Sequence, residues 1–510
     1  MALGVALTVM GGEIGAVAAP TGGDVGPAGS YRVRWAPCTG AGQSGFECAS
    51  VPAPLDYAHP GAATIDLAVI RHRAQGAGRA LGTVFFNPGG PGGPGTQDLP
   101  AWYSLFPAGV RERFDLVSWD PRGVGESAPV RCFDDDAHGA AFFAGTPVGV
   151  PVGGREQNRW ITTYEKFGAL CRQRNGALLK HVSTADSARD LDRLRAAVGR
   201  ARTHYWGVSY GTLLGATYRN MFPDRTGRMI LDGNVSPTAW TNNGDDRARG
   251  TTTGLRIGAD GAQATLRAFL DLCGTAGPAK CPFSAGNPEA TRKKFTSLLT
   301  RLKKAPIPYQ GTPITYGAAV SSVAGLLDVM PAQPAAGFPG WSFLAGFLQT
   351  LARGGSDGPG SPAGYDLREQ GYAIECGDSP NPDDPRAFIP IGNRAQRRYG
   401  PLAPTISWAD EPCAGWKATA TDRYTGPWNR PTGTPALVIG NTFDPSTPHH
   451  NSVTMARLLD RARLLTVNGY GHTALLNPST CAGRAETAYL INATLPPPGT
   501  TCTQDSKPFP

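Results

Sequence analysis

The 510-residue sequence has no uncharged apolar stretch approaching the roughly 18 residues that a membrane-spanning helix requires, so stable insertion in a bilayer is not expected. Charge is sparse, at 17% Asp, Glu, Lys and Arg against 40% hydrophobic residues, the reverse of a disordered chain. The net charge of +8 is scattered, with Arg292, Lys293, Lys294 and the pair Lys303, Lys304 the nearest approach to runs, and nucleic acid is therefore not expected as a partner. The 67 glycines and 46 prolines show no three-residue period, which excludes collagen and leaves a loop-rich globular fold. No Cys-x-x-Cys occurs, so a thiolate metal site is not expected.

What is present starts with ten cysteines, Cys38, Cys48, Cys132, Cys171, Cys273, Cys281, Cys376, Cys413, Cys481 and Cys502, spread as successive neighbours. They read as five disulfides in an exported protein, with Cys38–Cys48 and Cys273–Cys281 the safest pairs and Cys376–Cys413 expected. Residues 1–19 form an apolar segment ending in Ala16-Val17-Ala18, the pattern of a secretory signal and its cleavage site, although the basic leader is missing and Glu13 interrupts the run.

Short β-branched or aromatic runs ending in Gly, Pro, Asn or Asp predict buried strands at 64–73, 83–86, 115–119, 204–208, 229–231, 436–439 and 464–467. Helical patterns at 187–198, 212–222 and 449–462 fall between them, which predicts an α/β fold with a mostly parallel sheet. The alternation lapses between Leu231 and Ala436. The expected organisation is a signal segment at 1–19, a first core part at 30–235, an inserted cap at 236–430, and a second core part at 431–510.

Gly207-Val208-Ser209-Tyr210-Gly211 matches Gly-x-Ser-x-Gly, but a chain with 67 glycines can match by chance, and Gly354–Gly358 around Ser356 does so in a loop. Context separates them. Ser209 follows an apolar strand and precedes a helical pattern, so it occupies the strand-to-helix turn that exposes a nucleophile, with small Gly207, Gly211 and Gly215 allowing close packing. A serine nucleophile needs a base, and His472 follows a late strand and the turn glycines Gly469 and Gly471. The orienting acid expected past a strand is Asp444, ahead of Asp410 and Asp422, which no convincing strand precedes. Thr447 is expected to cap the next helix with Pro448 at its first position, and His449 and His450 are read as first-turn residues, since adjacent helical side chains point roughly 100° apart. Backbone donors for an oxyanion are available at Tyr210 and in Asn87-Pro88-Gly89-Gly90-Pro91-Gly92, with Gly90 preferred and Gly89 second.

These motifs, together with Trp119–Ser127, Thr184–Asp192, Leu231-Asp232-Gly233, Tyr372–Cys376 and Asp444–Pro448, resemble the secreted serine aminopeptidases of the α/β-hydrolase superfamily, the prolyl-iminopeptidase-related tripeptidyl aminopeptidases with a TAP-like C-terminal segment. Gly93-Pro94-Gly95 departs from the Gly-Ser-Gly frequent in such enzymes. The resemblance implies an extracellular exopeptidase acting on free N-termini of peptides or proteins and removing short peptides, tripeptides above all; no metal or organic cofactor is expected, and a monomer is expected. It implies that Asp120 and Arg122 are structural and that the insertion captures the substrate's amino end. A carboxylate must then meet that ammonium, with Glu375 the first choice and Asp378 the second as substrate-binding residues. The triad itself does not distinguish peptides from esters, so a carboxylesterase or lipase on the same residues is the alternative.

Overall fold

The computed structural model describes residues 32–244, 251–355 and 368–510; the expected signal segment 1–19 and Ser356 lie outside the described residues. Strands follow in the order β1 (Ala36–Pro37), β2 (Glu47–Pro54), β3 (Thr64–His72), β4 (Gly82–Asn87), β5 (Phe114–Trp119), β6 (Thr203–Val208), β7 (Thr226–Asp232), β8 (Ile307–Tyr309), β9 (Thr312–Ile314), β10 (Ala436–Phe443), β11 (Ala462–Tyr470) and β12 (Thr501–Thr503). Ten of them form one sheet in the order β1-β2-β3-β5-β4-β6-β7-β10-β11-β12, while β8 and β9 make a separate hairpin. From β5 onward every neighbouring pair is parallel, and β1, β2 and β3 are antiparallel additions at one edge. This is the mostly parallel α/β-hydrolase sheet that the sequence predicts.

The central strands are apolar on both faces because helices cover both. In β4, Val84 and Phe86 enter one core with Leu116, Trp206, Ile230 and Leu437, and Phe85 between them enters the other with Val117, Tyr205, Leu231 and Val438. Helices Thr184–Ala197 and Tyr210–Met221 cover the second face through Leu191, Leu194, Leu213 and Leu214. Helices Gly95–Trp102 and Thr480–Asn492 cover the first through Leu99, Trp102, Tyr489 and Leu490. The helix expected over 449–462 stops at Leu458, because Asp460 and Arg461 turn the chain into β11, with Arg461 at a φ of 51°.

Five disulfides pair successive cysteines: Cys38–Cys48, Cys132–Cys171, Cys273–Cys281, Cys376–Cys413 and Cys481–Cys502. Between β7 and β10 the chain is mainly helical, including Tyr316–Leu326 and Glu369–Asp378, and Cys376–Cys413 ties the latter to helix Pro412–Trp416. Arg122 is fully buried; it pairs with Asp190 at 2.6 Å and donates to the carbonyls of Pro54, Leu55 and His181, joining β2 to helix Thr184–Ala197. Asp120 accepts the amides of Thr96 and Glu126 at 2.9 Å each, which fixes the turn beside the glycine-rich loop. Among the described residues no helix is long and apolar enough to cross a membrane, and no His, Cys, Asp and Glu cluster could hold a metal ion.

Candidate active site

Ser209 stands between β6 and helix Tyr210–Met221 at φ 57° and ψ −126°, a backbone conformation that an L-residue other than glycine holds only when its surroundings enforce it. The enforcement is visible. The Ser209 amide donates to the carbonyl of Asp232 at 3.0 Å, and the Ser209 carbonyl accepts from the Thr212 amide at 2.9 Å and the Thr212 hydroxyl at 2.6 Å. The helix can leave the strand this sharply because a Cβ at Gly207 would lie 2.3 Å from the Gly211 carbonyl oxygen, and one at Gly211 would lie 2.6 Å from that of Asn87.

Asp444 follows β10 and His472 follows β11, and the two meet: Nδ1 of His472 lies 3.0 and 2.9 Å from the two carboxylate oxygens of Asp444. Asp444 Oδ1 also accepts the amides of Ser446 and Thr447 at 2.9 and 2.8 Å, which orients its carboxylate. Nε2 of His472 is buried and has no hydrogen-bond partner among the described residues. The ring packs beside Gly233, where a Cβ would approach within 3.1 Å of His472 Cε1, immediately after the Asp232 whose carbonyl holds Ser209. Burial opposes charge on this imidazole, but the carboxylate of Asp444, with Asp328 behind it, outweighs burial and raises its affinity for a proton above the ordinary histidine value.

Thr447 does not cap the following helix. That helix begins at His449 with Pro448 as its uncapped boundary, and the Thr447 hydroxyl lies 3.0 Å from Asp444 Oδ2 and 3.2 Å from His472 Nδ1. Sequence reasoning missed this role because the same residue type at the same place also suits a cap. His449 and His450 are first-turn residues; His449 Nε2 lies 3.0 Å from the Thr466 hydroxyl.

The loop after β4 lies against the serine turn. A Cβ on Gly89 would fall 2.4 Å from the Val208 carbonyl oxygen and 2.9 Å from Ser209 Cβ, so only glycine fits there. The Gly89 amide is engaged by Asn87 Oδ1 at 3.1 Å, whereas the Gly90 amide makes no hydrogen bond among the described residues. The Tyr210 amide is the first of the helix amides, which have no acceptor within the helix.

Gly90, Ser209 and Tyr210 share a cavity of about 80 Å³ with Pro445, Ser446 and Thr447, closed by Val235, Trp240, Ile257, Ala262, Ala324 and Ile406. The two expected amine ligands are not on its wall. Asp378, at the end of helix Glu369–Asp378, accepts the Thr184 amide at 2.9 Å and the Thr184 hydroxyl, which in turn lies 2.6 Å from the Tyr210 hydroxyl. It therefore braces the helix start behind Tyr210, and burial pushes its carboxyl up to about 6. Glu375 is buried against Asp410, and burial, together with that carboxyl and the hydrogen bond the two share, pushes the Glu375 carboxyl well above the ordinary range. Asp410 accepts the Gly254 amide at 2.8 Å, and Asp422 pairs with Arg189; neither reaches His472.

A doubly covered parallel sheet with a strained serine at a strand-to-helix turn and a histidine–carboxylate pair on the next strand ends defines a hydrolase scaffold. The family model described as alpha/beta hydrolase fold matches residues 82–253, and that described as TAP-like protein matches residues 402–502. The chain belongs to this family of α/β hydrolases with a TAP-like C-terminal segment. It is 31% identical over 503 residues to the serine protease Hip1 of Mycobacterium tuberculosis, covering 92% of this chain and 91% of that one. To the tripeptidyl aminopeptidase of Streptomyces lividans it is 29% identical over 484 residues, covering 91% and 85%. To carboxylesterase B of Mycobacterium tuberculosis it is 31% identical over 490 residues, covering 89% and 86%.

Proposed function

We propose that this hydrolase is an exported serine exopeptidase that removes short peptides, tripeptides above all, from free N-termini. The observation that carries the serine-hydrolase part of this reading is the Asp444 carboxylate held on Nδ1 of His472 while Nε2 has no partner among the described residues, at the strand end next to the strained Ser209 turn; the peptide part rests on the relatives. In the proposed reaction Ser209 Oγ attacks the carbonyl carbon and its proton passes to Nε2. The oxyanion takes the amides of Tyr210 and Gly90. Nε2–H then gives its proton to the leaving amine, and water repeats the sequence to release the acyl group. Asp444 and Thr447 hold the ring in the tautomer that keeps Nε2 free to accept.

The relatives named serine protease and tripeptidyl aminopeptidase support peptide chemistry, and five disulfides support export. The cavity beside Ser209 is of a size for one apolar side chain of the acyl residue. Glu375 stays the first choice for the substrate's ammonium group, because arrival of a cation would ionise a buried acid now held neutral beside Asp410; Asp378 is already committed to Thr184. The carboxylesterase relative and the apolar cavity favour ester hydrolysis as the second reading. A panel of free and N-acetylated tripeptide p-nitroanilides with p-nitrophenyl acyl esters separates the two. Preference for the free tripeptides supports the exopeptidase; equal cleavage of acetylated and free peptides, or turnover of esters alone, contradicts it.

A further inference from the structure

Asp328 lies just beyond helix Tyr316–Leu326, in the segment between β7 and β10, far in sequence from the candidate triad. It is nevertheless bonded to two of its loops. Its carbonyl accepts the His472 amide at 2.6 Å and the Asn477 side-chain amide at 3.1 Å. Its carboxylate Oδ1 accepts the Ser446 hydroxyl at 2.7 Å, and Ser446 in turn donates its own amide to Asp444 Oδ1. Two residues further on, the Met330 amide donates to Asn477 Oδ1 at 2.8 Å, so three hydrogen bonds stitch the segment to the histidine loop. A carboxylate that is 4% exposed is costly to bury, and neither an arginine nor a lysine is paired with it among the described residues.

We propose that Asp328 is a positioning residue for His472: it locks the histidine and acid loops together from the inserted segment, and its carboxylate favours the imidazolium formed when the serine proton is transferred. The inference rests on the triad reading above. Among the described residues the charged groups that face His472 are Asp444 from the loop after β10, Asp232 from the end of β7, and Asp328. Asp444 touches the ring and Asp232 is engaged by the amides of Ala474 and Leu475, which leaves Asp328 as the removable second charge.

Asp328→Asn keeps an oxygen to accept from Ser446 and removes the charge. In kcat/KM against pH, the acid-limb midpoint should move down by about one unit, the scale on which a nearby opposite charge acts. At the plateau kcat should fall roughly tenfold with KM within about twofold, because the imidazolium forms only on the way to the transition state. Should that variant fail to fold, as read by thermal unfolding, Ser446→Ala reads the same quantity: it removes the hydroxyl that favours the Asp328 carboxylate, and the midpoint should drop by about a few tenths of a unit. A midpoint that coincides with wild type, in Asp328→Asn or in Ser446→Ala where only that variant folds, overturns the inference. Fluorophosphonate labelling of Ser209→Ala tests the triad separately; retained labelling there overturns the triad and this inference with it, whereas lost labelling with an unmoved midpoint overturns this inference alone.

Discussion

The carbonyl of Asp232 holds the amide of Ser209 at 3.0 Å, and the carboxylate of the same Asp232 holds the amides of Ala474 and Leu475 at 2.9 Å each. One residue at the end of β7 thus couples the Ser209 turn to the loop that carries His472, so strain at the serine and placement of the histidine are set together.

Asp232→Asn should therefore destabilise the fold. An amide offers one acceptor oxygen where two backbone donors must be met, and an unmet buried donor costs about 1–3 kcal/mol. Urea unfolding should show that loss with an unchanged slope. Burial holds the Asp232 carboxyl up at about 6, so the native state binds the proton more readily than the unfolded chain. Its contribution is then present at low pH and is lost as pH rises toward 6, a slope that Asp232→Asn should remove.

The pH dependence of turnover should follow His472. In the proposed reaction only the neutral imidazole accepts the serine proton, and Asp444 and Asp328 hold the folded-state value above the ordinary one of about 6.5 despite burial. The kcat/KM of wild type should rise with pH and have its midpoint above that figure. A midpoint well below 6 would contradict His472 as the base. In stability the same group acts oppositely: its contribution is full below the unfolded value and is lost as pH rises through the folded one.

Thr447 supplies a hydroxyl to the Asp444–His472 pair. Thr447→Val, which keeps the shape, should lower kcat/KM by roughly 10- to 150-fold, the range of a hydrogen bond to a charged group of about 1.5–3 kcal/mol, and Thr447→Ser should restore most of it. Equal loss in both variants would assign Thr447 a packing role instead.

Closing a 37-residue separation, Cys376–Cys413 should contribute about 4 kcal/mol in the chain-entropy picture. The double variant Cys376→Ala with Cys413→Ala should lose about 2–5 kcal/mol in denaturant unfolding. Nonreducing peptide mapping of wild type should recover this linkage and no free thiol.

Much of the core was legible because parallel strands buried on both faces read as apolar runs, as in Thr83–Phe86 and Ala436–Ile439, and because the strand-to-helix setting singled out Ser209. Strand β2 was not legible, since Pro52 and Pro54 argue against a strand. They fit because β1 covers only Glu47 and Cys48, leaving those prolines where β2 has a neighbour on one side alone. The 23-residue helix Gly153–Asn175 does carry a helical stripe, its buried Trp160, Tyr164, Phe167 and Cys171 recurring at intervals of four, three and four, but polar residues outnumber apolar ones along it and dilute that signal. Within the site, Thr447, Asp328 and Asp378 are defined by partners 25 to 194 residues away, and no local pattern announces such contacts.

The most direct measurement is peptide mapping of the fluorophosphonate adduct of the active protein. Stoichiometric modification of Ser209, with label and turnover both lost in Ser209→Ala, is the expected result. An adduct on another serine, or full turnover by Ser209→Ala, would contradict Ser209 as the nucleophile.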